Sequence, residues 1–210
     1  MLQYITNQHS PVSIPEQVQQ VLQGGCKWIQ LRMKDTPESE IVEMARLLQP
    51  ICKEHEAIFV IDDHVQIAKE LQLDGVHLGK NDMPVKEARD LLGEEFIIGA
   101  TANTIDDMLN YLPIHVDYIG LGPYRFTTTK KNLSPVLGID GYANIMTQYR
   151  EKFVDMPVVA IGGITIDDVD PIMLTGVNGI AISGEIAMSS DIALTTEQFL
   201  NRLNIYRKEK

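Results

Sequence analysis

The stretch FVIDDHVQIAKELQLDGVHLGKND, residues 59–82, combines two kinds of apolar pattern. Residues 59–61 form a short, continuous apolar run that stops at two aspartates, as a buried parallel strand does. The apolar residues at 65, 67, 68 and 71 then recur at helical spacing. Asp74 and Gly75 end that helix, and residues 76–78 form a second apolar run. The stretch is therefore predicted to fold as one strand–helix–strand unit with parallel strands.

Each of these two strands is followed by an aspartate, Asp63 after the first and Asp82 after the second. Parallel strands joined by a helix point the same way, so both side chains are expected on one rim of the sheet. Either residue alone fits a helix cap, since Gln66 follows Asp63 at capping-box spacing and Pro84 follows Asp82. Together, with Lys80 between them in sequence, they also fit a divalent cation site beside a base that meets the bound anion.

Composition indicates one domain. The chain has 210 residues, 44% of them hydrophobic, and no run long enough to cross a bilayer, so we expect a single domain over residues 1–210. The N-terminus has no basic segment followed by a long apolar stretch, which predicts a cytoplasmic protein. Cys26 and Cys52 lie in no metal-binding spacing and are expected to be reduced and buried.

The net charge of −11 argues against nucleic-acid and membrane partners, both of which select basic surfaces. Many of the bases nevertheless follow strand-like runs, which predicts a local cationic patch on one rim and favours a small, highly anionic ligand. These bases are Arg32, Lys34, Lys80, Arg125, Lys130 and Lys131. Lys131 on its own is expected to be a solvated lysine. The sequence does not decide between a monomer and a homo-oligomer.

The same alternation of apolar run, polar turn and amphipathic helix repeats along the whole chain. Strands are predicted at residues 2–6, 28–32, 57–61, 75–78, 96–100, 118–120, 157–161 and 179–182. Helices are predicted at residues 14–22, 37–55, 64–71, 84–92, 104–112, 141–149, 166–175 and 195–207. Eight such units in a chain of this size predict an α/β fold of the (β/α)₈ TIM-barrel class. No glycine-rich dinucleotide fingerprint follows the first strand.

In a barrel the chemistry belongs at the carboxyl ends of the strands. Alternation along the second strand places Gln30, Arg32 and Lys34 on one side, so they are expected to line the barrel interior or its mouth. An arginine there needs an anion to face, which is either a ligand or an internal carboxylate.

Three later strand ends carry features of a phosphate site. A long connection follows the sixth strand and holds three threonines before Lys130 and Lys131, which suits either a phosphate-binding loop or a surface loop. The seventh strand ends in Gly162-Gly163 and the eighth in Ser183-Gly184. Barrels often bind phosphate through the loops after these two strands, although a glycine pair alone can simply form a tight turn.

Six motifs, taken in order, resemble the thiamine phosphate synthases over nearly the whole chain. They are QLRMK at 30–34, IDDHVQIAKELQLDGVHLGKND at 61–82, IGATANT at 98–104, DYIGLGPYRFTTTKK at 117–131, AIGGI at 160–164 and GIAISG at 179–184. That family has the (β/α)₈ fold and joins hydroxymethylpyrimidine diphosphate to thiazole phosphate with Mg²⁺ bound, releasing diphosphate. The resemblance therefore implies small phosphorylated substrates, a Mg²⁺ cofactor and no protein nucleophile.

Carried onto this chain, the resemblance assigns three groups of residues. Asp63 and Asp82 would hold Mg²⁺. Contacts to the pyrimidine diphosphate would come from Gln30, Arg32, Lys34, Thr101 and Lys130, with Asp62 at a further substrate-binding position. Arg32, Lys34 and Lys130 would act catalytically by neutralising the departing diphosphate. The thiazole phosphate would be held by Thr127, Thr129, Gly163, Ile182 and Ser183.

This chain departs from the usual family residues at five positions. Asp62, Lys80, Thr101, Asn103 and Phe126 stand where the family usually has Asn, Gln, Ser, His and Pro. A second carboxylate at Asp62 would repel a diphosphate unless the metal or Lys80 compensates its charge. Two other functions remain open. One is a thiazole tautomerase of the same fold, whose active-site histidine aligns with Asn103, and the other is a protein that binds thiazole phosphate or thiamine phosphate without turnover.

Overall fold

Eight parallel strands close into a barrel, in which each strand pairs with the next and β8 pairs with β1. The computed structural model describes residues 1–126, 135–152 and 155–206. The strands are β1 (Leu2–Ile5), β2 (Trp28–Leu31), β3 (Ile58–Asp62), β4 (Gly75–Leu78), β5 (Ile97–Ala102), β6 (Tyr118–Leu121), β7 (Val158–Ile161) and β8 (Gly179–Ile182). The predicted fold class is confirmed, and every predicted strand lies within two residues of its place in the barrel.

Helices alternate with the strands and cover the outside of the barrel. They are α1 (Ile14–Gln23), α2 (Glu38–Glu54), α3 (Val65–Leu71), α4 (Val85–Leu92), α5 (Ile105–Tyr111), α6 (Gly138–Arg150), α7 (Val169–Leu174), α8 (Gly184–Ala187) and α9 (Ile192–Asn204). None of the described helices is both long and apolar enough to cross a membrane.

The sequence prediction was wrong about three helix features. Helix α6 begins at Gly138, three residues before the predicted start. The short helix α8 was not predicted, because four residues are too few for a recognisable apolar period. Helix α9 begins at Ile192 instead of 195, because the Asp191 carboxylate accepts the backbone N–H of Leu194 and caps it there.

Alternation along the strands separates two apolar layers. Ile29 and Leu31 of β2 belong to the main core between the strands and the helices. Trp28 points the other way and joins Val60 and Tyr118 in the smaller core that fills the barrel. Truncating a fully buried leucine such as Leu31 to alanine typically costs about 2 to 5 kcal/mol. The helical layer therefore fixes the barrel, while the upper interior is left for polar side chains.

The two cysteines are buried thiols, as predicted. Burial raises the pKa of Cys26 to about 11 and that of Cys52 to about 12. Both therefore carry their proton at neutral pH and behave as small apolar side chains.

Candidate active site

Asp63 turns the chain sharply after β3. Its backbone has a φ of 67°, and its N–H donates to the carbonyl of His77 on the neighbouring strand at 2.9 Å. Helix α3 begins after His64, and no side-chain hydrogen bond caps it. The capping alternative for Asp63 is therefore wrong, because its carboxylate instead contacts the ammonium group of Lys34.

Asp82 closes the turn after β4. Its Oδ2 accepts the backbone N–H of Gly79 at 2.7 Å, and a Cβ on Gly79 would lie 2.7 Å from the same oxygen. A side chain at position 79 would therefore displace the Asp82 carboxylate from this N–H. Helix α4 begins after Pro84 without a side-chain cap, so Asp82 is no helix cap either.

Asp62 is the acceptor of a cluster of three donors from β2 and the segment that follows it. Gln30 Nε2 donates to Asp62 Oδ1 at 2.8 Å, and Arg32 Nε lies 3.2 Å from Oδ2. Lys34 Nζ lies 3.4 Å from the same oxygen while also pairing with Asp63. Asp62 is only 8% exposed. The predicted inward face of β2 is therefore present, and its charges meet internal carboxylates.

Lys80 does not compensate the charge of Asp62. Its Nζ lies 2.6 Å from Oδ2 of Asp107 at the start of α5. Burial alone would raise the pKa of Asp107, but hydrogen bonds from Lys80, from the Asn103 N–H and from the Thr104 side chain lower it. The proposed compensation of Asp62 by Lys80 is therefore wrong, because the loop after β4 directs Lys80 toward α5.

Asp63 and Asp82 fit a magnesium site that the substrate would complete. Burial, the nearby Asp62 carboxylate and a hydrogen bond with Asp82 raise the pKa of Asp63, while Lys34 opposes the rise. Two crowded carboxylates of this kind are relieved by a cation, and Mg²⁺ prefers one or two carboxylates together with substrate phosphates and water. Within the described ranges, no group of three acidic, histidine or cysteine side chains forms a complete protein cage for a metal.

A buried acceptor lies beside this cluster. The amide oxygen of Gln30 has no hydrogen-bond partner among the described residues, although the side chain is only 2% exposed. An unsatisfied buried amide oxygen costs about 1 to 3 kcal/mol, so this oxygen can accept a hydrogen bond from a donor outside the described residues.

Thr101 lies near the carboxyl end of β5, where its hydroxyl contacts Nε2 of His77 at 3.0 Å. His77 and its other partner, Tyr118, were not singled out from the sequence. A polar residue inside the apolar run Val76-His77-Leu78 was the available indication, since polar residues buried within strands are uncommon.

The β7 loop depends on two glycines in the left-handed region. Gly162 has a φ of 104° and Gly163 a φ of 65°. A Cβ on Gly163 would lie 3.0 Å from the carbonyl oxygen of Phe126. Arg125, which the sequence placed in the cationic patch, donates to both carboxylate oxygens of Asp168 at 2.9 Å and so braces this loop.

Residues of the β8 end lie next to that loop in the barrel order. The Ile182 side chain is buried in the main core, so a contact between Ile182 and a ligand would have to come from its backbone. Ser183 precedes α8, and its carbonyl accepts the N–H of Ala187 at 2.9 Å. A Cβ on the next residue, Gly184, would lie 3.8 Å from the Asn7 side chain of the β1 loop.

The predicted residues Thr127, Thr129, Lys130 and Lys131 lie outside the described residues. Their flanks are held together at the barrel mouth, because the Arg125 N–H donates to the Gly162 carbonyl at 2.8 Å and the Leu137 N–H donates to the Pro123 carbonyl at 2.9 Å. The described residues on either side of this segment therefore lie close to one another and to the β7 loop.

A (β/α)₈ barrel with acids and bases around its mouth and an acceptor within it belongs to the class of barrel enzymes that act on small anionic substrates. A sequence model of the family described as "Thiamine monophosphate synthase" matches residues 2–186. The chain belongs to this family, which confirms the resemblance seen in the six motifs.

Named relatives agree with this assignment. The chain is 54% identical to the thiamine-phosphate synthase of Bacteroides thetaiotaomicron over 98% of its own length and 99% of the relative. It is 42% identical to the thiamine-phosphate synthase of Flavobacterium johnsoniae, over 96% and 95% of the two chains. The solved thiamine phosphate pyrophosphorylase from Pyrococcus furiosus has a TM-score of 0.86 at 31% identity, covering 99% of this chain and 96% of that one.

Proposed function

We propose that this chain joins hydroxymethylpyrimidine diphosphate to thiazole phosphate and releases thiamine phosphate and diphosphate. The observation that carries the proposal is the cluster at the ends of β2, β3 and β4, where Arg32 and Lys34 face Asp62 and Asp63 beside Asp82. Cations and hard oxygen ligands together suit a diphosphate that arrives with Mg²⁺.

In the proposed reaction the thiazole nitrogen attacks the methylene carbon of the pyrimidine, and the bond from that carbon to the diphosphate oxygen breaks. Arg32 and Lys34 bind the departing diphosphate and stabilise the negative charge that grows on it. Mg²⁺, held by Asp63 and Asp82, would supply further neutralisation of that charge. Lys130 joins these bases from the β6 loop in our proposal. No side chain forms a covalent bond to either substrate.

The pyrimidine ring is proposed to lie above Gln30 and Asp62. The amide oxygen of Gln30 and the Asp62 carboxylate are acceptors, which suits the amino group of the pyrimidine. Thr101, on the inner side of β5, donates its hydroxyl to the same substrate. Asp62 at the position usually held by Asn is thus compatible with substrate binding, because its charge is already met by Arg32 and Lys34.

The thiazole phosphate is proposed to bind between the ends of β6, β7 and β8. Gly163 has no side chain and a left-handed backbone, and its carbonyl accepts from Arg125, so its N–H is the group proposed to meet the anion. Ile182 contributes its backbone and Ser183 its hydroxyl or N–H, and Thr127 and Thr129 contribute hydroxyl groups. Hydroxyl and backbone donors at this side would hold the phosphate without a metal.

The tautomerase alternative finds no support at Asn103. Its side-chain amide donates to the carbonyl of Gly122 and so joins the ends of β5 and β6. An amide cannot transfer protons as a histidine can. We further propose that the partners of the protein are small phosphorylated molecules and that it acts in the cytoplasm. A homo-oligomer is one possible assembly.

Incubation of the protein with both substrates and Mg²⁺, followed by detection of thiamine phosphate and diphosphate, tests the proposal. We expect both products from the wild type, and an Asp63→Ala variant should be at least about 10²-fold slower, the scale of losing one preorganised electrostatic group. A wild type that isomerises thiazole phosphate, or only binds it, would refute the synthase proposal.

A further inference from the structure

A chain of neutral hydrogen bonds runs up the inside of the barrel toward Thr101. Gln3 Nε2 on β1 donates to the Tyr118 hydroxyl on β6 at 3.0 Å. That hydroxyl lies 2.9 Å from Nδ1 of His77 on β4, and Nε2 of His77 lies 3.0 Å from the Thr101 hydroxyl on β5. Four strands thus contribute one polar side chain each to a single path.

Two glycines make room for this path. A Cβ on Gly99 would lie 2.1 Å from the Tyr118 ring, and a Cβ on Gly120 would lie 3.0 Å from Cε1 of His77. Any other residue at 99 would displace the Tyr118 ring, and one at 120 would press on the imidazole. The sequence thus omits side chains on two adjacent strands where the path requires space.

The donors and acceptors along the path fix its direction. Because Gln3 donates to the Tyr118 oxygen, the hydroxyl proton of Tyr118 is directed to Nδ1 of His77. Burial raises the pKa of Tyr118, so this proton stays on the oxygen. If Nδ1 accepts this proton, the imidazole N–H lies on Nε2. That N–H donates to Thr101 Oγ1.

We propose that His77 is a positioning residue for Thr101. By donating to Oγ1, His77 occupies a lone pair of the hydroxyl and leaves its proton to donate into the barrel mouth. Thr101 Oγ1 has no other hydrogen-bond partner among the residues the structure describes, and the side chain is partly exposed. The recipient of that proton is an oxygen of the pyrimidine diphosphate. This assignment rests on the proposed function, because it names the substrate of that reaction.

The tautomer of His77 tests the direction without any substrate. We expect ¹⁵N NMR of the imidazole to show a protonated Nε2 and an unprotonated Nδ1 in the wild type near pH 8. Tyr118→Phe removes the donor to Nδ1, so this variant should show a mixture of the two neutral tautomers. Protonation on Nδ1 in the wild type would overturn the inference, whatever the activity of the protein.

A double-mutant cycle tests the consequence for the substrate. His77→Leu should raise KM for pyrimidine diphosphate about tenfold, the scale of one hydrogen bond to a charged group, and should leave KM for thiazole phosphate unchanged. In a Thr101→Val background, the same substitution should cause no further loss. His77→Gln places an N–H near the position of Nε2 and should restore most of the wild-type KM.

The outcomes separate a positioning residue from a structural one. If His77→Leu and Thr101→Val have independent, multiplicative effects, or if both KM values change equally, His77 acts only on the fold and the inference is wrong. If His77→Leu does not fold, a comparison of His77→Gln with His77→Asn still tests the inference, because Asn can replace only the Tyr118 contact. Equal KM values for pyrimidine diphosphate in these two variants would refute the inference. A wild type that makes no thiamine phosphate refutes the proposed function, while the NMR result stands on its own.

Discussion

The two halves of the barrel mouth differ in the kind of residue that forms them. On the side of β2, β3 and β4, five charged side chains crowd together and pair with one another: Arg32, Lys34, Asp62, Asp63 and Asp82. On the side of β6, β7 and β8, Arg125 is engaged by Asp168, and the loop is shaped by left-handed glycines. One half is thus defined by charge and the other by backbone conformation.

The difference indicates how each half meets its ligand. In the charged half, a diphosphate must compete with Asp62 and Asp63 for Lys34, so a cation that engages the acids also frees the base. In the glycine half, the Arg125–Asp168 pair holds the β7 loop, and an anion that binds backbone N–H groups there need not break it. The first half should therefore depend on charge and metal, and the second on loop geometry.

The largest effect is expected from Lys130→Ala, which tests whether the β6 loop joins the charged half. A cation on the departing diphosphate stabilises the transition state more than the ground state, so kcat should fall roughly 10²-fold or more. Steady-state kinetics with saturating substrates provide the measurement.

Lys131→Ala is the matched control and should change kcat little, because we expect that lysine to be solvated. Wild-type rates in both variants, beside an inactive Asp63→Ala enzyme, would remove Lys130 from the site. Equal losses in both variants would point to a diffuse field from the loop.

A smaller effect is expected from Gly163→Ala, which tests the glycine half. An alanine here must adopt a φ of 65° with its Cβ 3.0 Å from the Phe126 carbonyl. Left-handed backbone costs about 1 to 2 kcal/mol for such a residue, and relieving this strain and the contact with Phe126 would move the loop. The displaced backbone would bind the phosphate less well, so the affinity for thiazole phosphate should fall about tenfold. Calorimetry in EDTA measures this, since we expect this binding to need no metal.

Gly93→Ala separates backbone strain from the site. Gly93 has a φ of 80° with open space around it and lies after α4, where the chain enters β5. This variant should lose stability but keep the affinity for thiazole phosphate.

The metal dependence of the wild type tests the division between the two halves. Thiazole phosphate binding that requires Mg²⁺ would contradict it.

The smallest effect concerns the stability of the metal-free protein. Folding raises the pKa of Asp63 to about 7, so protonated Asp63 is favoured by folding. The resulting stabilisation is fully present below the ordinary carboxyl value near 4 and is lost as pH rises through the raised value. Asp63→Asn, neutral at every pH, should lose this part of the pH dependence in urea unfolding with EDTA.

Asp90→Asn is the control for this measurement, because Asp90 is an exposed carboxylate paired with Lys86 on α4. It should keep the wild-type dependence on pH. If Asp63→Asn also keeps it, the crowding of the carboxylates is not what stabilises the protonated form.

The sequence by itself determined the barrel and much of the charged half. Eight apolar runs with intervening helical periods defined the strands, because burial on both faces forces a continuous apolar pattern. Alternation along β2 placed Gln30 and Arg32 inside, since the side-chain period of a strand is two. Six motifs then identified the family and with it the expected ligands.

Only the tertiary structure decided which polar groups meet. Lys80 pairs with Asp107 and not with Asp62, Asp63 caps no helix, and His77 joins Tyr118 to Thr101. The contacts of Lys80 and of His77 join residues from different βα units, and the distances in them depend on how the barrel closes. Sequence spacing gives the face on which a side chain lies, whereas the partner it meets across the barrel depends on strand register and loop conformation.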